Sequence, residues 1–453
     1  MQEGERAARA ATARQRAAAL AGQGVDVVAL TWVDTSGLTR LKAVPVDRLE
    51  HAAAWGVGAS PVFDTFLVDD STVRGEYTGG PVGDLRLHPD LARLTVLAAT
   101  PGWAWAPADR YDLDGAPHPG DARDALRRQV ALLAADGYRV RAAFEVEWCV
   151  SRGDGDDFVP ATTGPAYGTG RLVELADHLR DVVRALRAEG VAVEQIHPEY
   201  AAGQCEVSVA AESPVGAADT AVLVRETVRA VAARAGLRVT YAPKVLADGV
   251  GNGGHVHLSL WRGETDLFAG GHRRYEMTGE GEAFAAGILD HLPALLALGA
   301  PSVASYLRLV PSHWAGAYRC WGLENREAAL RLVTGAAGER HRAANLEVKC
   351  FDQAANPYLA LAGLLAAGRA GVAAGATLPE PVDVDPAGLP TETVEPLPAD
   401  LSAAIAAFDA DPVPSAALGA TLADAVRAVR RGEVALFAGA TPAEVVARTR
   451  WRY

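Results

Sequence analysis

Cysteine is scarce in this chain. Four residues in 453, Cys149, Cys205, Cys320 and Cys350, lie far apart and form no C-x-x-C pair, which excludes a disulfide framework and a zinc knuckle. They read as free thiols of a reducing cytoplasm. Positive charge is also short: 43 Lys and Arg face 56 Asp and Glu, a net charge of −13. That balance argues against nucleic acid or an anionic membrane surface as the main partner, since both require a cationic footprint. Uninterrupted apolar runs long enough to span a bilayer are missing. The opening MQEGERAARAATARQRAAAL mixes charge with alanine and lacks the apolar centre of a secretory signal, so it predicts an amphipathic helix on a cytoplasmic protein. No G-x-x-x-x-G-K-[ST] loop and no G-x-G-x-x-G after a strand occurs, which disfavours P-loop and Rossmann nucleotide sites. There is no internal repeat at a fixed period.

What is present has the texture of two domains, as the length requires. Residues 26–33 and 39–44 are β-rich runs around the turn DTSGL, a hairpin signal. Up to about residue 120 the chain is rich in Gly, Pro and Asp without a convincing long helix, predicting a small β domain over 1–115. From Asp121, an N-cap candidate, DARDALRRQVALLAADG carries a helical stripe closed by Gly137. Helices near 171–189 and 217–235 each precede a pair of strands, near 191–197 and 204–210, then 238–243 and 254–261. Helices near 281–298 and 356–374 flank a strand at 346–351, and the alanine-rich tail is helical apart from a Pro-rich surface loop, LPEPVDVDPAGLPTETVEPLP. Helices separating strand pairs predict an α+β domain over 116–453 with a largely antiparallel sheet.

Period-two alternation then selects functional candidates. FEVEWCV places Glu145 and Glu147 opposite Phe144, Val146 and Trp148; HPEYAAGQCEVSV places Glu199 before a Gly turn and Glu206 opposite Cys205 and Val207. GNGGHVHLSLW puts His255, His257 and Ser259 on one face, and NLEVKCFD does the same for Glu347 and Lys349. Carboxylates converging on one sheet face repel one another unless cations compensate them. Five glutamates and one or two histidines, without cysteine, suit Mg²⁺ or Mn²⁺, and the number of carboxylates favours two ions. The alternative is a set of separate solvated pairs beside core histidines. Arg308, Arg319, Arg326 and Arg331 cluster in sequence, and arginine supplies planar, permanently charged donors for carboxylate and phosphate. Metal-binding carboxylates beside arginines are the equipment of phosphoryl transfer.

In order along the chain, LTWVDTSGLTRLKAVPV, FEVEW, HPEYAAGQCEVSV, TYAPK with GNGGHVHLSL, SYLRLVP, ENREAALRL and LEVKCFDQAANPYLA resemble the type I glutamine synthetase family. The resemblance implies an N-terminal β-grasp domain and a catalytic domain whose antiparallel strands form half a funnel. It implies a cytoplasmic homo-oligomer, a dodecamer of two stacked hexameric rings with active sites between neighbouring subunits. By position, Glu147, Glu199 and Glu206 match ligands of one metal, and Glu145, His255 and Glu347 those of the other. His257, Ser259 and Arg331 match ATP-contacting positions, with Arg342 a further candidate near the phosphates; Gly251, Arg308, Arg326 and Lys349 match the glutamate site. The implied reaction phosphorylates the γ-carboxylate of glutamate with ATP, after which a nitrogen nucleophile displaces phosphate. Arg308, Arg326 and Arg331 are the implied catalytic cations.

Departures from the pattern change the nucleophile. Gly58 and Trp314 stand where relatives that use ammonia carry two ammonium-binding carboxylates, an aspartate and a flap glutamate. A glycine and an indole cannot capture a small cation with four N–H donors, but an indole can hold an alkylamine by its carbon skeleton and a cation–π contact. PSHWAGAYRCWGLENREAALRL accordingly resembles the γ-glutamylamide ligase branch, including γ-glutamylpolyamine and γ-glutamylethanolamide synthetases, which open amine catabolism for nitrogen metabolism. A polyamine would be helped by acids at the cavity mouth, for which Asp64, Asp69 and Asp70 are candidates; a tryptophan narrowing the entrance favours a short amine such as ethanolamine. Lys349 takes the place of an arginine and Val250 that of an asparagine, so the acyl substrate is glutamate held without a bidentate fork, or a related acid. PAGLPTETVEPLPADL lacks the tyrosine that adenylylated relatives modify. The alternatives are an ammonia-using glutamine synthetase and a catalytically silent assembly protein of the same fold.

Overall fold

The hairpin expected near the start is present as β1 (Val27–Val33) and β2 (Thr39–Pro45), paired antiparallel from Val27 opposite Pro45 to Val33 opposite Thr39. The structure, a computed structural model, describes residues 3–390 and 392–453. Four further strands complete the first sheet: β3 (Val57–Ala59), β4 (Leu85–Pro89), β5 (Thr95–Val96) and β6 (Trp103–Tyr111). Their order is β2-β1-β6-β4-β3, with β5 on β6, and β1 runs parallel to β6. The amphipathic N-terminal helix, Glu3–Gly22, lies on the short helix Leu49–Trp55, burying Ala13 and Leu20 over Val28, Leu30, Leu49 and Leu87. That seven-residue helix, LEHAAAW, is the one α-helix between the hairpin and residue 120 among the described residues, and the sequence reading missed it.

The second sheet has nine strands: β7 (Arg139–Ser151), β8 (Val193–Pro198), β9 (Gln204–Val209), β10 (Arg238–Thr240), β11 (Val256–Arg262), β12 (Thr265–Asp266), β13 (Tyr318–Leu323), β14 (Ala328–Val333) and β15 (Asn345–Val348). The order is β13-β14-β15-β11-β7-β9-β8, with β10 on β7 and β12 on β11. Every pair is antiparallel except β13 with β14, whose short return through Glu324–Glu327 brings the second strand back parallel to the first. Strand β7 is the spine. Its first half pairs with β11 as far as Phe144, and from Glu145 it pairs with β9. Its apolar alternates Phe144, Val146 and Trp148 face the core, joined there by Val256, Leu258, Leu346, Val348, Cys205 and Val207.

Helices Ala122–Ala135, Thr169–Ala188 and Pro214–Arg234 fall where the sequence predicts them; Asp121 caps the first through its side chain and Gly137 follows it at φ +86°. Strand β10 stops at Thr240 rather than 243, because the run toward Pro243 leaves the ladder, where a proline could not donate. Helices Gly279–Gly299 and Pro357–Ala374 are long and apolar enough to cross a bilayer, but they pack on each other inside the protein, 78% and 67% buried over their most apolar stretches. The Pro-rich segment is more than a surface loop, since Val382 and Val394 are buried against Cys320 and Ala328. The tail beyond it forms helices Leu401–Ala410, Pro412–Leu418, Ala420–Leu436 and Pro442–Thr449. All four cysteines are buried free thiols, and burial raises their pKa values, which keeps them unreactive.

Candidate active site

Register brings the polar alternates together. Across β7 and β9, Glu147 lies opposite Glu206, and across β11, β15 and β14, Glu347 lies opposite both His257 and Arg331. The result is a cavity of about 710 Å³ whose lining includes Glu145, Glu147, Glu199, Glu206, His255 and Glu347, the six candidate metal ligands. Gly251, Arg308, Trp314, Arg326, Arg331 and Lys349 line it as well. The separate-pairs alternative is therefore excluded by the geometry.

Two ligand clusters divide the floor. Oxygens or nitrogens of Glu145, His255 and Glu347 lie within 4.8 Å of one another, and so do those of His197, Glu199 and Glu206. In the first, His255 Nδ1 lies 2.9 Å from Glu145 Oε2 and 3.3 Å from Glu347 Oε1, and His257 Nε2 lies 3.2 Å from Glu145 Oε1. Burial pushes the Glu145 carboxyl up, but hydrogen bonds from His255 and His257 outweigh it and hold the group well below the ordinary range. Burial likewise opposes ionisation of Glu347, yet Lys349, 3.1 Å away, and the two histidines hold it down. His257 is raised to about 9, its burial outweighed by Glu145.

The second cluster is compensated less: the Tyr167 O–H and the Tyr200 N–H donate to Glu199 without offsetting its burial. Burial first, then repulsion from Glu145, Glu147 and Glu199, raises Glu206 to about 9; Glu199 is raised by burial and by Glu147. Glu147 stands between the clusters, with Oε2 accepting hydrogen bonds from Gln204 Nε2 at 2.8 Å and from the Gly253 N–H at 2.7 Å. A Cβ on Gly253 would come 2.5 Å from His255 Nε2 and 2.7 Å from Glu147 Oε1, so only glycine leaves the space between these ligands open. A cradle kept clear among hard oxygen donors, one of them forced to hold a proton, fits a divalent cation that would replace that proton.

The arginines differ in their commitments. Arg308 is buried, with Nη2 3.0 Å from the Lys349 carbonyl and 3.3 Å from His255 Nε2, and its Nη1 is buried without a partner. Arg331 bonds Glu347 Oε2 at 3.0 Å and Glu324 Oε2 at 2.5 Å. Arg326 lines the cavity from an exposed position. Arg319 does not belong to this group: it turns to Asp290 and Glu395.

The rim is a flap without ladder bonds. Ser312 and Trp314 take φ +57° and +54°, a left-handed conformation rare for side-chain-bearing residues. Trp314 is 52% exposed at the edge of the cavity, and its backbone N–H donates to Glu327 Oε1 at 2.7 Å. Asp64, Asp69 and Asp70 do not line the cavity: Asp64 is buried against Arg110 at 2.6 Å, Asp69 bonds Ser71, and Asp70 bonds Arg40 and Arg452. Gly58 sits in β3 opposite Arg86, also away from it.

Three nucleotide-site candidates also fall outside the lining. His257 is bonded into the floor through Glu145 and Asn345, Ser259 Oγ accepts from Trp261 Nε1 at 2.8 Å, and Arg342 is exposed and paired with Glu339. Conversely, the sequence reading missed Tyr167, His197, Gln204 and Lys244, which do line it. The Tyr167 O–H donates to Glu199 Oε2 at 2.7 Å across 32 residues of sequence, and no local pattern announces such a contact. His197 was findable, since it alternates with Gln195 and Pro198 follows it on the strand before Glu199.

Comparison with known proteins matches the family described as glutamine synthetase, catalytic domain, to residues 119–447. A gamma-glutamylpolyamine synthetase of Streptomyces coelicolor is 60% identical over 442 residues, covering 96% of this chain and 95% of that protein. A glutamine synthetase of Halobacterium salinarum is 30% identical over 461 residues, covering 96% of each. A solved structure of a glutamine synthase homologue superposes with a TM-score of 0.85 at 34% identity, covering 95% of this chain and 99% of that one.

Proposed function

The chain belongs to the glutamine synthetase family, and from that premise we propose that it is an ATP-dependent ligase joining the γ-carboxylate of glutamate to an organic amine. The observation that carries the reading is the pairing of a complete acidic floor with a flap that offers Trp314, and no carboxylate of its own, to the nucleophile. The twofold contrast in identity, 60% to a gamma-glutamylpolyamine synthetase against 30% to a glutamine synthetase, supports the same branch. We take a polyamine as the substrate class in preference to a short amino alcohol. Trp314 lies half-exposed at the rim of a cavity of about 710 Å³, so the narrowing that argued for a short amine falls away.

Glu147, Glu199 and Glu206 would hold one divalent ion, and Glu145, His255 and Glu347 the other. Mg²⁺ or Mn²⁺ there supplies charge neutralisation for the phosphates of ATP. The chain's own work is positioning. Arg308 and Lys349, with Gly251, orient the glutamate, and Gly251 must be glycine because a Cβ would come 2.3 Å from the Pro243 carbonyl oxygen and 2.8 Å from Arg308 Cγ. Arg326 and Arg331 face the transferred phosphoryl group and offset the charge that develops on it. In the first step an oxygen of the glutamate γ-carboxylate attacks the γ-phosphorus and ADP leaves. In the second, the neutral amine nitrogen attacks the acyl carbon, phosphate departs, and the nitrogen releases a proton to give the amide. His257, Ser259 and Arg342 are assigned to the nucleotide end of the site.

We place the boundary between the two domains at 115/116, in the loop between β6 and helix Ala122–Ala135. The working form is a cytoplasmic dodecamer of two hexameric rings, in which neighbours complete each site. The test is phosphate release by purified protein with ATP, Mg²⁺, glutamate and an amine panel of spermidine, putrescine, ethanolamine and ammonium. Spermidine or putrescine is expected to stimulate release well above the amine-free control; no stimulation by any organic amine overturns the reading.

A further inference from the structure

Beneath the flap lies a carboxylate that the reaction has not used. Glu327 is 7% exposed, immediately follows the cavity-lining Arg326, and opens β14 from the C-terminal side of the return. Its Oε1 accepts the Trp314 N–H at 2.7 Å, so it holds the flap at its left-handed residue. Its Oε2 is buried and has no hydrogen-bond partner. Lys349 and His313 are the basic side chains that act on it. Both are turned elsewhere: Lys349 Nζ to Glu347 Oε1 at 3.1 Å and His313 Nδ1 to the Pro311 carbonyl at 2.9 Å. Asp385, which bonds Ser312 Oγ at 2.9 Å, adds a second negative charge to the same corner. Burial is the main reason the Glu327 pKa is raised, and Asp385 adds to it. An acceptor shielded from water and left unsatisfied is costly, and the cost is removed when a donor arrives with the substrate.

We infer that Glu327 is a specificity-determining residue for the amine, with Oε1 fixing Trp314 and Oε2 accepting an N–H of the substrate's ammonium group. The inference rests on the reading of this site as one for an amine. Glu327 is not itself part of the cavity lining, but Arg326 before it and Trp314 bonded to it both are, so an alkylammonium seated against Trp314 would meet an aromatic face with an anion behind it, a combination that recognises cationic nitrogen attached to a carbon chain.

The experiment uses the full-length enzyme and spermidine as probe, with Glu327→Gln and Glu327→Ala. Glutamine keeps an acceptor for the Trp314 N–H and removes only the anion. Both variants are expected to raise KM and calorimetric Kd for spermidine about tenfold, equivalent to about 1.4 kcal/mol. KM for ATP and glutamate should stay within about twofold in both, and Glu327→Gln should keep the wild-type Tm. Wild-type spermidine KM and Kd in Glu327→Gln overturn the inference and leave Glu327 as a flap tether only. Should the wild-type enzyme bind no spermidine and turn over ammonium alone, the amine reading fails separately. KM for ammonium in Glu327→Gln then decides the carboxylate's part: a tenfold rise keeps it as an acceptor, and an unchanged value removes it.

Discussion

On the floor of the cavity strand ladders fix most of the candidate ligands: Glu147 against Glu206, and Glu347 against His257 and Arg331. At the flap no ladder exists, and position depends on the left-handed Ser312 and Trp314 and on side-chain bonds to Asp385 and Glu327. The two regions answer different needs. Charge neutralisation around a phosphoryl group demands donors that do not move, and adjacent strands provide them. Choice of nucleophile can vary with a few loop residues while the floor is unchanged, as loops on a rigid scaffold generally allow.

The sharpest way to break this comparison is to damage the floor. Glu347→Ala removes a candidate metal ligand and the partner of Arg331 and Lys349, and should lower kcat by at least about a hundredfold with every amine. The same variant should lose the rise in Tm that Mn²⁺ gives the wild-type protein by binding its folded state. A variant with near-normal turnover would show that the floor is not the phosphoryl-transfer centre.

A change at the flap should act on one substrate only. Trp314→Ala is expected to raise KM for the amine about two- to thirtyfold, the range of a cation–π contact, with KM for ATP and glutamate within about twofold. Equal losses for all three substrates would mean that the flap also organises the floor.

The smallest effect concerns pH. Glu206, raised to about 9, binds a proton in the folded metal-free protein that the unfolded chain releases near its ordinary pKa. Stability of the metal-free protein should therefore fall as pH rises from about 5 toward 9, the stabilising proton being lost through the folded pKa. Thermal melts of Glu206→Gln should show a weaker decline over that interval and a higher Tm than wild type at pH 8.5. Parallel curves would show that the second carboxylate cluster is not strained. Added Mn²⁺ should stabilise the wild type more at pH 8 than at pH 6, because the ion displaces that proton.

The same division explains what could be read from the sequence. Alternation along β7, β9, β11 and β15 picked out five of the six candidate ligands, Glu145, Glu147, Glu206, His255 and Glu347, because a strand exports its polar residues with period two and burial of the other face leaves one register; Glu199 sits in the turn between β8 and β9, outside that pattern. Lys349 and Glu347 were paired by the same rule. Tyr167 and Lys244 were not legible: the first reaches the site through a contact far along the chain and the second from the loop after β10. Asp64 was misplaced, since a lone aspartate in a loop gives no sign that Arg110 will bury it. Ser259 shares the strand face of His257, but its hydroxyl is engaged by Trp261, a local contact that alternation does not register. The short helix Leu49–Trp55 lacks a side-chain N-cap and spans only two turns, below the length at which helical periodicity is visible.

The central claim, that an organic amine takes the place of ammonia at Trp314, is tested most directly by competition. Spermidine and ammonium at equal concentration are supplied together to the enzyme with ATP, Mg²⁺ and glutamate, and the products are weighed by mass spectrometry. The account predicts γ-glutamylspermidine as the dominant product, with phosphate released in equal amount. Glutamine as the dominant product would contradict it.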